Sequence, residues 1–120
     1  MRRSTWIHLA AASLSACLAL FGCGSDGGLG DATGSVCPTP STLTYESFGQ
    51  SFMANHCLSC HASKESPPFN SVDEIRARKA DIDRAAASGP NATNTFMPED
   101  GSVALEERQK LGEWLACGAP

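Results

Sequence analysis

Along the second half of the chain, apolar residues recur at helical rather than strand spacing. Between Thr44 and His56, Tyr45, Phe48 and Phe52 fall at i, i+3 and i+7 on one face of a helix. Glu46 sits in its first turn, where a negative charge suits the helix dipole. A second helix is expected from Ser71-Val72-Asp73-Glu74, a capping-box pattern, to Ser88-Gly89-Pro90, residues that end helices. Its apolar positions (Val72, Ile75, Ile82, Ala85) are sparse. Arg76, Arg78 and Lys79 read as a solvated face, and a break is expected near Lys79. A third helix, from about Ser102 to Cys117, carries Leu111, Trp114 and Leu115 as its apolar stripe, with Gly118 available as its cap. No segment alternates as a strand does and no repeat is visible, so the pattern predicts an all-α fold of three to four helices. The stretches 62–70 and 90–101 are long and contain Pro67, Pro68, Pro90 and Pro98; loops of that length in a small domain usually wrap something.

The first segment follows a different pattern. Met1-Arg2-Arg3 precedes an apolar stretch from Trp6 to Phe21 and then Gly22-Cys23-Gly24-Ser25-Asp26, which reads as an export signal over residues 1–22. The stretch is too short and too interrupted by His8, Ser13 and Ser15 to be read as a membrane span. Leu20-Phe21-Gly22-Cys23 resembles the lipobox of bacterial lipoproteins, with Phe21 departing from the usual small residue. Leu14-Ser15-Ala16-Cys17 matches letter for letter better, but lipidation there would leave Leu18–Phe21 at the mature N-terminus. Cys23, followed by a Gly, Ser and Asp tract, is the reading taken. A lipid anchor at Cys23 would tie the protein to a bacterial membrane on the periplasmic or cell-surface side. Residues 23–42, rich in Gly, Ser, Thr and Pro, read as a flexible tether, which leaves residues 43–120 as the folded domain.

Composition sharpens this picture at three points. The chain has 120 residues, 42% hydrophobic and 18% charged, so it holds one small domain. A formal net charge of −4, which becomes −6 once Arg2 and Arg3 are removed, argues against nucleic acid as a partner. A domain of about 80 residues is marginal on its apolar core alone and calls for a staple or a cofactor.

Cys57-Leu58-Ser59-Cys60-His61 is the C-x-x-C-H pattern of covalent haem attachment. Two thiols three residues apart can form thioethers with the vinyl groups of one porphyrin. The adjacent histidine then offers a ring nitrogen to the iron. A thioredoxin-type redox pair would want a strand before the motif, and a Phe-containing helix precedes it instead. A zinc site from Cys57, Cys60, His61 and one of His56, Cys37 or Cys117 lacks a second paired motif.

With that motif, the chain from about Leu43 onward resembles a class I monohaem cytochrome c domain. The family has a helix leading into C-x-x-C-H, a methionine ligand on a later loop and a C-terminal helix crossing the first. Gly49 matches the small residue where those helices cross, Phe52 or Met53 the nearby aromatic position, and Trp114 and Leu115 the C-terminal partners. The resemblance implies a haem c held by Cys57 and Cys60, with His61 and Met97 as iron ligands, Met97-Pro98 standing on the family's ligand loop. Met53, four residues before Cys57, reads as core, and His56 as a solvated histidine at a helix end. Pro67 or Pro68 would accept the His61 ring N–H through its carbonyl, against the alternative of an ordinary loop proline.

The function this implies is single-electron transfer outside the cytoplasm between redox partner proteins. The chain would be a monomeric electron carrier rather than an enzyme, because a filled sixth position leaves no site for substrate. Two other classes stay open: a five-coordinate haem protein that senses gas or acts like a peroxidase, and a non-haem surface binding module stapled by its cysteines. Cys37 and Cys117 are left over once lipid and haem have taken theirs. In an oxidising compartment such thiols usually pair, and the crossing of first and last helices implied by the resemblance would bring them together. Free thiols or an intermolecular bridge are the alternatives.

The anchor reading is tested by fractionation. Cys23→Ala is expected to release the protein from the membrane fraction with its haem retained. Release by Cys17→Ala, and not by Cys23→Ala, would assign lipidation to the earlier box.

Overall fold

The structure, a computed structural model, describes residues 28–120. The export signal and the candidates Cys17 and Cys23 lie outside the described residues. A π-helical stretch, Tyr45–Gly49, runs directly into α1, Gln50–His56. Thr44 caps it reciprocally with Ser47: the Thr44 hydroxyl accepts from the Ser47 N–H at 3.1 Å and the Ser47 hydroxyl from the Thr44 N–H at 2.9 Å. A single turn, α2 (Leu58–His61), follows, then α3 (Val72–Ala77), α4 (Lys79–Ala86) and α5 (Leu105–Ala116). The described residues are all-α: besides helices they hold only an isolated antiparallel bridge between Ser88 and Thr93.

The expected second helix is divided where the sequence placed its break. Arg78, at φ −116° and ψ 13°, leaves helical geometry between α3 and α4. The Ser71–Glu74 capping box closes the start of α3 in both directions, at 3.2 and 2.9 Å. Helix α4 stops at Ala86, short of Ser88-Gly89-Pro90, because the chain finds tertiary partners first. Ala87 turns extended, its carbonyl accepts from Asn94 N–H at 2.9 Å, and Ser88 N–H donates to Arg108 O on α5 at 2.9 Å. Helix α5 also starts later than expected, at Leu105, since Val103 is buried in the approach to it and Ser102 N–H is held by the Asp100 carboxylate. Its end is a Schellman cap: Gly118, at φ +92°, donates to Leu115 O and Ala119 to Trp114 O.

The incoming helix and α5 meet at Gly49 and Trp114. Trp114 is fully buried, and a Cβ on Gly49 would fall inside the contact distance of its indole. Filling that position would overpack the crossing at a cost of about 1–3 kcal/mol. Tyr45 stacks on the indole and Phe48 meets it edge-on, at centroid distances of 6.5 and 6.0 Å. Met53, Ile75, Leu111 and Leu115 extend this core. Four of the thirteen buried apolar residues described are alanines, so few large side chains fill the interior.

The assignment of residues up to 42 to a tether does not hold over residues 30–37, which lie against α4 and α5. Thr33 is fully buried; its hydroxyl and N–H donate to the two carboxylate oxygens of Asp83 at 2.6 and 2.9 Å. Gly30 N–H donates to Arg84 O, Arg84 Nε to Gly30 O, and the Asn94 side-chain amide to Asp31 O, each at 2.8 Å. Composition suggested a linker because this segment has little apolar surface. It docks instead through its backbone, and small residues permit that approach: a Cβ on Gly89 or Gly112 would collide with Ser35.

Cys37 and Cys117 form the expected disulfide, with Cα atoms 4.7 Å apart and 80 residues between them in sequence. It closes nearly the whole domain into one loop, for which the chain-entropy account gives about 4–5 kcal/mol. Peptide mapping of the unreduced protein is expected to recover these two cysteines linked within one chain. Replacing both by Ser is expected to lower unfolding free energy by a comparable amount. Alkylation of both thiols in the folded, oxidised protein would contradict the pairing.

Candidate functional site

The site grows from the junction of α1 and α2. Cys57, at φ −121°, steps out of α1 and starts the next turn; its carbonyl accepts from the N–H groups of Cys60 and His61 at 3.2 and 2.9 Å. Three residues apart on one turn, Cys57 and Cys60 share a face. Both are free thiols, whereas Cys37 and Cys117 are bonded to each other. Neither of the bonded pair is therefore available to complete a zinc set with Cys57, Cys60 and His61. Among the described residues no group of three or more His, Cys, Asp and Glu gathers as a metal cage.

The two thiols differ in setting. Cys60 is exposed, while Cys57 is half-buried and packed against the core beside Leu58. Burial disfavours the thiolate and pushes the Cys57 thiol up to about 11. It is thus a neutral thiol at neutral pH.

His61 is the most constrained of the motif residues. Its Nδ1 lies 2.8 Å from Pro67 O. A carbonyl only accepts, so Nδ1 donates, and in the neutral imidazole Nε2 is then the nitrogen with the free lone pair. Of the two prolines the sequence offered, Pro67 is the acceptor. The loop that brings it there is tied back onto α2: Phe69 N–H donates to His61 O at 3.1 Å and the Asn70 side chain to Ala62 O at 3.0 Å. Phe69, buried, packs its ring 4.8 Å from the imidazole.

Met97 lies in the long connection between α4 and α5, half-buried against the core. Its main chain is held on both sides, N–H to Ala85 O and C=O from Arg108 Nη1, each at 2.8 Å. Met53 is buried as expected for a core residue. His56 departs from the solvated role: its side chain is 14% exposed, its ring centroid lies 4.9 Å from that of Phe52, and Nε2 sits 3.8 Å from Glu107. Its Nδ1 is buried with no hydrogen-bond partner.

Sequence reading passed over two residues that shape this region, Arg108 and Asp83. A signal existed for the first. Arg108, Leu111 and Leu115 fall at i, i+3 and i+7, so the arginine interrupts the apolar stripe of α5. Asp83 gave none, because its partners, the Thr33 hydroxyl and N–H, lie fifty residues away.

The thiol settings predict ordered labelling in the haem-free protein with Cys37–Cys117 bonded and Cys57 and Cys60 as free thiols. Iodoacetamide near neutral pH is expected to modify Cys60 first. Labelling of Cys57 should accelerate only as pH rises towards 11, where its thiolate forms. Equal rates at neutral pH would contradict the burial of Cys57.

No family model, curated protein or solved structure matches this chain, so its function must be read from its own residues.

Proposed function

We propose that this protein is an exported, membrane-tethered monohaem c-type cytochrome that carries single electrons between redox partners. The observation that carries the reading is the state of Cys57-Leu58-Ser59-Cys60-His61. Two free thiols share one turn, and the neighbouring imidazole is held by Pro67 O in the tautomer that leaves Nε2 bare. Those are the donors that covalent haem attachment and proximal ligation require. The single turn of α2, Phe69 and Pro67 all fit this use, as does the shortage of large side chains in the core.

Bound haem supplies the one-electron couple of its iron. The chain's own residues do the rest. Cys57 and Cys60 supply the sulfurs for two thioether bonds. Pro67 O orients His61 and, through the Nδ1–H bond, makes Nε2 a better donor. Met97 would supply a soft thioether, a ligand type that favours reduced iron and raises its potential. With His61 and Met97 both given to the iron, the protein would exchange electrons rather than substrates. The Cys37–Cys117 disulfide suits an oxidising compartment. No helix among the described residues is long and apolar enough to cross a membrane, and the proposed tether to one is the lipid at Cys23.

The reading is tested on protein exported by a host that attaches haem to such motifs. Haem is expected to remain with the polypeptide after denaturing extraction with acid and organic solvent, and to be lost in the Cys57→Ala/Cys60→Ala double variant. Met97→Ala is expected to keep covalent haem but become high-spin, with a lower potential and an open position for small ligands. A folded, colourless wild-type protein would overturn the reading. A high-spin wild type would favour the five-coordinate alternative.

A further inference from the structure

Arg108 is 3% exposed, and all four of its hydrogen bonds reach main-chain carbonyls. Nε donates to Val103 O at 3.3 Å; Nη1 is shared among Ala86 O at 2.7 Å and Asn94 O and Met97 O at 2.8 Å. These acceptors span the whole connection from the end of α4 to the start of α5. One of them is the methionine that the haem reading assigns to the iron.

We propose that Arg108 is a positioning residue for Met97, setting the conformation that presents its thioether as the sixth ligand. The inference rests on the haem reading above. Burying a guanidinium is costly, and an apolar side chain would complete the α5 stripe at lower cost. Core packing alone therefore gives no reason for arginine at this position. The connection explains it: residues 87–104 contain no helix, and a loop of that length populates many conformations unless it is pinned. The rigid, permanently charged guanidinium places Nη1 among three carbonyls while Nε on the same plane holds Val103 O, a two-nitrogen reach that lysine's single ammonium on a flexible stem does not have. Met97 N–H on Ala85 O and Met97 C=O on Arg108 together fix the ligand's backbone from both sides. The ordering entropy of the loop is then met during folding rather than at the moment of ligation.

The test is competition for the sixth position, using imidazole as the probe on the ferric haem-loaded protein. An entering ligand must find Met97 off the iron, so its apparent affinity reads the fraction of protein in which the thioether is displaced. Wild type is expected to bind imidazole most weakly and Met97→Ala most tightly. Arg108→Gln is expected to bind about tenfold or more tighter than wild type, the scale of one lost charge-assisted hydrogen bond. Arg108→Lys is expected to fall between them. Ile75→Val, in the core on α3, serves as control: it should lower the thermal midpoint and leave imidazole affinity unchanged. Wild-type affinity in both Arg108 variants, or an equal shift in the control, would overturn the assignment of Arg108 while leaving the haem reading intact. A wild type without haem, or one that binds imidazole as tightly as Met97→Ala, would overturn the assigned ligation and the role of Arg108 with it. Where neither Arg108 variant folds, hydrogen exchange on the wild type decides. Amides of Asn94 and Met97 protected to the level of α5 support a pinned loop; free exchange at both overturns it.

Discussion

The contact between Gly49 and Trp114 is the constraint on which the rest of the domain depends. An indole with no exposure lies directly against a backbone that has no side chain, so Trp114 of α5 seats on the incoming helix at the one position that leaves room for it. The motif that starts at Cys57 and the buried Arg108 are both carried by the two helices so joined. Eight residues beyond Gly49 the chain reaches Cys57, and six residues before Trp114 it has passed Arg108. The C-terminal residues close the same junction. Trp114 Nε1 and the N–H of Tyr45 both donate to Pro120 O, at 3.4 and 2.6 Å, and Cys117 is bonded to Cys37.

Around that crossing the domain satisfies its polar groups in an uneven way. Its helices are short and its connections long, so many backbone groups have no helical partner. The protein meets this with side chains that bond to carbonyls or amides far away in sequence. Arg108 does so for the α4–α5 connection, Asn94 for Asp31 O and Asp83 O, and Asp83 for the Thr33 backbone. Arg108 and Asn94 are tolerated in the interior because their donors are paired, the condition under which burial of polar groups costs little; His56 Nδ1, buried without a partner, is the exception. The arrangement also shares out rigidity. The loop bearing Pro67 is tied to α2, the loop bearing Met97 is tied to α5, and the imidazole and the thioether each project from a fixed main chain.

The segment 30–37 shows why composition misleads in small domains. A stretch of Gly, Ser and Thr has almost no apolar area with which to announce burial, and the usual inference is a linker. Here the smallness itself is what allows docking. Thr33 fits into the interior, and Ser35 rests where Gly89 and Gly112 leave room. The stabilisation comes from charge-assisted hydrogen bonds to Asp83 and from the disulfide that follows at Cys37.

What the sequence determined by itself was local or carried by a motif. The all-α class, the capping box at Ser71, the break near Lys79, the cap at Gly118 and the apolar stripe of Leu111, Trp114 and Leu115 all follow from residues within one or two turns of each other. The C-x-x-C-H spacing of Cys57-Leu58-Ser59-Cys60-His61 is read directly from the chain. The pairing of Cys37 with Cys117 followed from which cysteines remained. Tertiary structure alone decided the early end of α4, the packing of residues 30–37, the choice of Pro67 over Pro68, the enclosure of His56 and the reach of Arg108. The physical reason is common to all five. Each depends on a hydrogen bond or contact between groups distant along the chain or free to choose among several neighbours, and residue type and spacing do not encode which partner space will supply.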